Sequence, residues 1–165
     1  MKHITPFLWF DQEAEDAARL YTSLIPNSKI KGVTRYGEAG PGKAGSVMTV
    51  DFELNGQPFV ALNGGPEFQF TEAVSFLINC ETQDEVDELW EKLSEGGEKG
   101  PCGWLKDRYG LSWQIVPTIL EELIRDPDQE KAQRVMQAML QMRKIEIEPL
   151  LRAAAGEEQP ATART

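Results

Sequence analysis

The chain has 165 residues, of which 41% are hydrophobic and 27% charged, a composition typical of one ordinary globular domain. A chain of this length can bury a sizeable core without help from a metal or disulfides. Its 27 acidic residues outnumber 17 lysines and arginines and give a formal net charge of -10, so neither nucleic acid nor an anionic membrane surface is expected as a partner. The sequence shows no apolar run long enough to span a membrane and no signal-peptide pattern, which predicts a cytoplasmic protein.

The residues that usually perform nucleophilic catalysis are scarce. The two cysteines, Cys80 and Cys102, have no near neighbours that would complete a Cys-x-x-Cys motif, so we expect free thiols. The single histidine, His3, lies close to the N-terminus, where chains fray. A Ser-His-Asp or Cys-His arrangement would have to use that residue, which argues against such enzymes.

The first part of the chain predicts one strand, one helix and three more strands. Apolar residues at helical spacing follow Asp11, which suits an N-cap, and Asn55-Gly56 is a two-residue hairpin signal. The predicted elements are a strand over 4–10, a helix from Asp11 to Pro26, and strands over 29–36, 46–54 and 58–63.

The same order of elements returns after Gly64-Gly65-Pro66. Thr82 and Glu85 have the spacing of a capping box and predict the start of a second helix. The elements predicted here are strands over 73–80, 102–107 and 111–116, with the helix after the first of them. The chain therefore contains a degenerate internal repeat of strand-helix-strand-strand-strand units.

Helical patterns follow Pro117. Thr118 with Glu121 predicts the cap of a short helix, and Asp126-Pro127 predicts the start of a longer one that carries a stripe of methionines suited to a core or a partner. We predict a single domain over 1–155, with a first module at about 4–63, a second at about 72–117, helices over 118–155 and a disordered tail over 156–165.

Three stretches of the sequence resemble a known family. They are Ile4 to Asp11, Leu62 to Pro66 and Cys102 to Pro117, and they resemble the PhnB-like family, labelled 3-demethylubiquinone-9 3-methyltransferase. The family belongs to the vicinal oxygen chelate superfamily, with glyoxalases, bleomycin-resistance proteins and extradiol dioxygenases. The resemblance, which covers about residues 2–155, implies an α+β fold of two βαβββ modules with C-terminal helices. It also implies an open barrel around a cleft, and a homodimer.

Strand alternation assigns the side chains of these sheets to two faces. The set assigned to the side under the helices is Val60, Leu62, Val74, Phe76, Ile78, Cys80, Leu111, Trp113 and Ile115. The ligand candidates assigned to the cleft side are Thr5, Phe7, Trp9, Phe59, Asn63, Ser75, Trp104 and Gln114. Aromatic walls with a few polar groups suit a small organic molecule. The alternative is that these faces pack against another subunit or a loop.

The resemblance also implies where a catalytic metal would bind. The four ligand positions of the superfamily's metal enzymes fall near Thr5, Ala61 or Asn63, Ser75 and Gln114. Hydroxyl and amide groups alone bind Zn²⁺ or Fe²⁺ poorly. We therefore predict no catalytic metal and no other cofactor.

The residues favour a binding protein over an enzyme. Cys102 could be a nucleophile with Lys106 nearby, but no general base is identifiable, which favours a structural role in a tight strand start. Asp51 is the remaining candidate for acid-base chemistry. The alternatives are the methyl transfer named by the family label, which would need S-adenosylmethionine and a quinone-like substrate, and a metal-independent enzyme of the superfamily.

Overall fold

The computed structural model describes residues 4–157, which form two compact units that divide between Phe70 and Thr71. Each unit contains one four-stranded mixed sheet and a helix between its first two strands, and three further helices belong to the second unit. The predicted α+β fold of two βαβββ modules with C-terminal helices is confirmed. Within residues 4–157 no helix has the length and apolar character needed to cross a membrane.

The first module follows the predicted order of elements. Its elements are β1 (Phe7–Phe10), α1 (Ala14–Leu24), β2 (Lys29–Arg35), β3 (Val47–Leu54) and β4 (Gln57–Asn63). The sheet order is β1-β4-β3-β2, with β1 and β4 parallel. Asn55 and Gly56 have φ of 46° and 81°, the left-handed conformation that a two-residue hairpin between β3 and β4 requires.

The core of the first module lies between α1 and one face of the sheet. Phe59 is 6% exposed and its ring stacks on Phe52 with centroids 5.4 Å apart, and Ala61 is buried beside it. Val60 and Leu62 are half-buried on the opposite face. The predicted faces of β4 were therefore wrong. This strand is apolar on both sides, so its sequence alternates too weakly to show which side α1 covers.

The second module repeats the topology. Its elements are β5 (Ser75–Cys80), α2 (Gln83–Ser94), β6 (Glu98–Lys99), β7 (Trp104–Lys106) and β8 (Ser112–Pro117), in the sheet order β5-β8-β7-β6. The predicted capping box of α2 is present, since Glu85 N–H donates to Thr82 Oγ1 at 3.2 Å and the Glu85 carboxylate accepts from Thr82 N–H. The short β6 was not located from the sequence. Val74 is 63% exposed ahead of β5, not under a helix as predicted.

Three helices complete the second unit: α3 (Thr118–Ile124), α4 (Gln129–Leu140) and α5 (Ile147–Ala155). They share an apolar cluster against which Met139 and Met142 pack, so these predicted stripe residues belong to a core. Both predicted helices are present, but their predicted caps were wrong, because α3 has no side-chain cap and Asp128, not Asp126, caps α4. Residues 158–165 of the predicted tail lie outside the described residues, and one domain over 1–155 stays a prediction.

The link between α4 and α5 is fixed to the start of β7. Cys102 N–H donates to Met142 O at 2.9 Å and Gly103 N–H donates to Arg143 O at 2.7 Å. A Cβ at Gly103 would come within 2.7 Å of Ile115 O, so this approach requires glycine. The C-terminal helices are thus part of the second module's structure.

Candidate functional site

Each module has one sheet face that its helix does not cover. The module 1 face lies opposite α1. Two rows of side chains cross it. The first row consists of Phe7, Val60 and Asp51, and the second consists of Trp9, Leu62 and Thr49. Phe7 is 59% exposed. This face combines aromatic and aliphatic groups with a carboxylate and a hydroxyl.

Trp9 is held firmly on the module 1 face. Its Nε1–H donates to Gly65 O at 2.9 Å, and Phe68 meets its ring edge-on with centroids 4.9 Å apart. A Cβ at Gly64 would lie 2.3 Å from the Trp9 ring, so glycine is required for this close approach. The Leu62 to Pro66 stretch therefore positions Trp9 as a fixed, half-exposed aromatic surface.

Asn63, predicted to bind ligand, instead holds the first module together. Its Oδ1 accepts from Ala14 N–H at 2.8 Å at the start of α1, and its Nδ2 donates to Val47 O at 3.2 Å. Its backbone oxygen accepts from the Tyr36 hydroxyl at 2.6 Å. The prediction that Asn63 lines the cleft was wrong, and so was the prediction of Phe59, which is in the core. Thr5 is exposed ahead of β1.

The module 2 face lies on the side of its sheet opposite α2 and is more polar. It contains the predicted residues Ser75, Trp104 and Gln114, and strand pairing adds Lys106 and Ser112. Gln114 Nε2 donates to Ser75 Oγ at 2.9 Å. The predicted ligand set had omitted Lys106, although alternation outward from Trp104 places it on the same side.

An ion pair dominates the electrostatics of the module 2 face. Lys106 Nζ lies 2.5 Å from Glu72 Oε1. This hydrogen bond raises the pKa of Lys106 and lowers the pKa of Glu72, and the negative charge of Glu98 also raises the pKa of Lys106. Both groups therefore stay charged over the physiological range of pH.

Ser112 is an exception to the rule that buried polar groups are paired. The residue is 1% exposed, and its Oγ has no hydrogen-bond partner in the described part of the chain. Leaving a buried hydroxyl unpaired costs about 1–3 kcal/mol. Such groups in folded proteins call for an explanation.

Neither cysteine sits in a catalytic arrangement. Cys102 has a left-handed φ of 55° and its Sγ lies 3.8 Å from Met139 O, in the link that holds the C-terminal helices. Lys106, which had been considered as its activating cation, pairs with Glu72 instead. Burial raises the pKa of Cys80 to about 11, so this thiol stays protonated. We interpret both cysteines as structural.

The positions implied for a metal do not form a suitable donor set. Ala61 is buried, Asn63 is engaged at α1, and Ser75 and Gln114 bond to each other. Over residues 4–157 no group of three or more His, Cys, Asp and Glu side chains could hold a metal ion. Amide and hydroxyl oxygens are poor ligands for Zn²⁺ or Fe²⁺, so these residues do not fit a catalytic metal.

The residues also do not fit S-adenosylmethionine in the usual manner. Nucleotide-like cofactors of this kind bind beside a parallel sheet, at a glycine-rich turn that leads directly from strand to helix. Gly64-Gly65 follows β4, but residues 64–74 contain no helix and both sheets are mixed. These glycines instead make room for Trp9.

Comparisons with known proteins agree with the predicted fold. Residues 2–116 match a family model described as 3-demethylubiquinone-9 3-methyltransferase. The structure of a putative 3-demethylubiquinone-9 3-methyltransferase, PhnB protein, from Bacillus cereus is 40% identical, covers 71% of this chain and 100% of its own, and has a TM-score of 0.63. No protein with a curated description matches the chain.

Two more distant structures share the fold alone. Protein PA1353 from Pseudomonas aeruginosa is 20% identical over 71% of this chain and 98% of its own, with a TM-score of 0.58. The fosfomycin resistance protein FosX from Listeria monocytogenes is 16% identical over 75% of this chain and 97% of its own, with a TM-score of 0.54. The architecture is therefore that of the vicinal oxygen chelate, or glyoxalase and bleomycin-resistance, fold.

Proposed function

Because the chain belongs to the PhnB-like family described as 3-demethylubiquinone-9 3-methyltransferase, we propose that it uses this fold to bind a small organic molecule without a catalytic metal. The proposed binding surfaces are the module 1 face and the module 2 face. The observation that carries the proposal is the fixed, half-exposed ring of Trp9.

Trp9 supports binding because its orientation is set before any ligand arrives. A rigid aromatic side chain offers a large contact area and loses little conformational entropy on binding. Leu62 and Val60 extend its apolar surface, while Asp51 and Thr49 offer hydrogen-bond acceptors on the same face. A partly aromatic molecule with a polar substituent fits this composition.

The module 2 face contributes polar recognition. Gln114 uses its amide nitrogen on Ser75, which leaves the Gln114 carbonyl oxygen and the Ser75 hydroxyl hydrogen available to a ligand among the described residues. Trp104 lies beside Gln114 across the β7–β8 pair. Defined donors and acceptors next to an aromatic ring give specificity for a ligand's polar groups.

The alternative is the methyl transfer that the family description names. It would require a quinone-like acceptor and S-adenosylmethionine, for which these residues form no recognisable site. A metal-independent enzyme would need an acid-base group, for which Asp51 is the available candidate on the module 1 face. Binding requires neither, which is why we favour it.

A thermal-shift screen of a metabolite library tests the proposal. The library should include aromatic acids and amines, quinone analogues, S-adenosylmethionine and divalent metals, because a ligand at 100 times its Kd stabilises a protein by about 2.7 kcal/mol. We expect a stabilising organic compound whose effect is lost in Trp9→Leu or Gln114→Ala, with circular dichroism showing that both variants fold.

The matched controls are Leu140→Ala and Gln137→Ala on the exposed side of α4, and both should keep the shift. A shift by S-adenosylmethionine followed by methyl transfer would contradict the binder proposal and support the alternative. Equal loss of the shift in the α4 controls would contradict the assignment of the faces.

We also propose that the protein is a homodimer in the cytoplasm. The dimer is supported by exposed Phe7 on the edge strand β1, because unpaired strand edges and exposed aromatic groups favour association. Light scattering should give twice the chain mass of 18.5 kDa. A mass of one chain at micromolar concentration would contradict it. Cell fractionation tests the location, which rests on the sequence alone.

A further inference from the structure

We propose that the module 2 face contains a binding site for an oxyanion, the carboxylate or phosphate group of a ligand, and that the carboxylate of Glu72 occupies this site in the free protein. The inference deepens the proposed function and rests on it, since the anion would be one group of the same small molecule. Three features support it: the path of the Lys106 side chain, the unpaired hydroxyl of Ser112, and the exposed position of Glu72.

The path of the Lys106 side chain follows from the sheet order. Lys106 in β7 lies directly opposite Ser112 in β8, and Ser112 lies beside Ser75 in β5. Glu72 stands three residues before Ser75, on the far side of β8 from Lys106. The salt bridge between Lys106 and Glu72 therefore joins segments on the two sides of β8, near its start, where Ser112 lies.

Ser112, directly opposite Lys106 in the strand pair, supplies an unused hydrogen-bond donor. The residue is 1% exposed and its Oγ has no partner within residues 4–157. Glu72 thus neutralises the Lys106 ammonium without accepting from Ser112. An anion with two or three oxygens, seated lower on the face, could accept from both groups and satisfy the buried hydroxyl.

Glu72 is suited to be displaced. Its side chain is 62% exposed and it lies in a turn ahead of β5, not in a strand. That turn has weak internal bonds, with Val74 N–H to Thr71 O and Ala73 N–H to Thr71 Oγ1 both at 3.4 Å. Moving Glu72 therefore disturbs little structure.

The charges around Lys106 favour an anion at this point over a cation or a neutral group. A ligand can take the place of Glu72 only by presenting an acceptor that the ammonium prefers. Glu98, opposite Lys106 in β6, adds negative charge and would weaken the binding of a free anion. We therefore expect small anions to bind weakly by themselves.

NMR titration of the protein with acetate and, separately, inorganic phosphate tests the site at constant ionic strength. The reporters are the side-chain amide of Gln114 and the indole N–H of Trp104, which belong to the same face. In Glu72→Gln the competing carboxylate is gone, and we expect affinity for acetate, phosphate or both to rise about threefold or more. Whichever of the two anions binds shows whether the site takes a carboxylate or a phosphate.

The matched control is Glu91→Gln, which removes the same charge from another exposed pair of this module, Lys99 and Glu91 at 2.5 Å. It should not raise the affinity. Lys106→Met should abolish the titration, and Ser112→Ala should weaken it about fivefold while the variant stays folded, since the change removes an unpaired hydroxyl.

Equal affinities in Glu72→Gln, Glu91→Gln and the unmodified chain would overturn the inference, as would the absence of any titration in Glu72→Gln. An adventitious response to salt would appear with chloride and in every variant, and it would also overturn the inference. These results leave the proposed function intact if an organic compound from the library still binds. If the library yields no compound but the anions titrate as expected, the oxyanion site stands and the proposed function fails.

Discussion

The two modules build one sheet topology from different side chains. In both, the first strand pairs in parallel with the last, and one helix covers the same side of the sheet. Alanines and Tyr21 of α1 fill the first interface, whereas Val86, Leu89, Trp90 and Leu93 of α2 fill the second. The covered faces are thus alike in being apolar and closely packed, although their residues differ.

The faces that the helices leave uncovered differ in chemistry. The module 1 face is mainly aromatic and aliphatic around Trp9, and the module 2 face is polar around Gln114 and Lys106. Packing requires apolar residues under a helix but imposes no such requirement on the other side. The difference between the modules therefore indicates which surfaces are free to carry a function.

The largest difference in stability should come from truncating, one at a time, two neighbouring side chains of β4 that lie on opposite faces of the sheet. Phe59→Ala should reduce the free energy of unfolding by about 3–5 kcal/mol because it leaves a cavity against Phe52. Val60→Ala, on the module 1 face, should cost about 1 kcal/mol or less. Urea denaturation measures both, and equal costs would contradict the assignment of the two faces.

Mutations in the hairpins that lead into β4 and β8 should reduce stability by different amounts. Asp107, 2% exposed, accepts hydrogen bonds from Tyr109 N–H, Leu111 N–H and Trp113 Nε1–H and so fixes the turn ahead of β8. Asp107→Ala should cost about 2–4 kcal/mol. Asn55→Ala in the first module should cost about 1–2 kcal/mol, through its left-handed backbone alone. Thermal unfolding that ranks Asn55 as the more costly would refute this contrast.

Mutations at the starts of α1 and α2 should also cost different amounts of stability. Asn63→Ala leaves Ala14 N–H without its acceptor and Val47 O without its donor, for a cost of about 1–3 kcal/mol. Thr82→Ala, which breaks the capping box of α2, should cost about 1 kcal/mol. Chemical denaturation compares the variants. If Asn63→Ala left stability unchanged but abolished ligand binding, the structural role of Asn63 would be wrong.

The smallest effect concerns the thiol buried under the second module's helix. Because burial raises the pKa of Cys80 from 9.0 to about 11, the folded state binds its proton more tightly than the unfolded state. The resulting stability is complete below pH 9 and is lost as the pH rises through 11. Absorbance of the thiolate in Cys102→Ser should therefore show titration near 11. Titration near 9 in the folded protein would contradict the burial of Cys80.

These contrasts also show what the sequence could and could not predict. The α2 capping box and the Asn55-Gly56 hairpin depend on residues within four positions of one another, and both predictions were confirmed. Asn63 acts on Ala14 across 49 positions of sequence, and no local pattern points to such a contact. Asp11 was predicted as the cap because it is the nearest suitable residue. In the structure α1 starts at Ala14, whose N–H donates to the side-chain oxygen of Asn63.

The candidate site was predicted in part, for a related reason. In β8 the polar Ser112 and Gln114 alternate with Trp113 and Ile115, which placed Gln114 on the side opposite α2, and Ser75 lies on that side next to Ser112. In β4 both sides are apolar, and the side covered by α1 became evident only from the stacking of Phe59 on Phe52. The salt bridge between Lys106 and Glu72 joins two loosely patterned segments 34 positions apart in sequence, so no motif indicated it.

The central claim is that the uncovered faces, and not the helix sides or the C-terminal helices, bind the ligand. The most direct test is NMR titration of the isotope-labelled protein with the strongest-binding compound from the library screen. We predict saturable shifts of the Trp9 indole N–H, the Gln114 side-chain amide, or both, with the backbone signals of α4 and α5 unchanged. Saturable shifts confined to α3, α4 and α5, with the signals of Trp9 and Gln114 unmoved, would contradict the account.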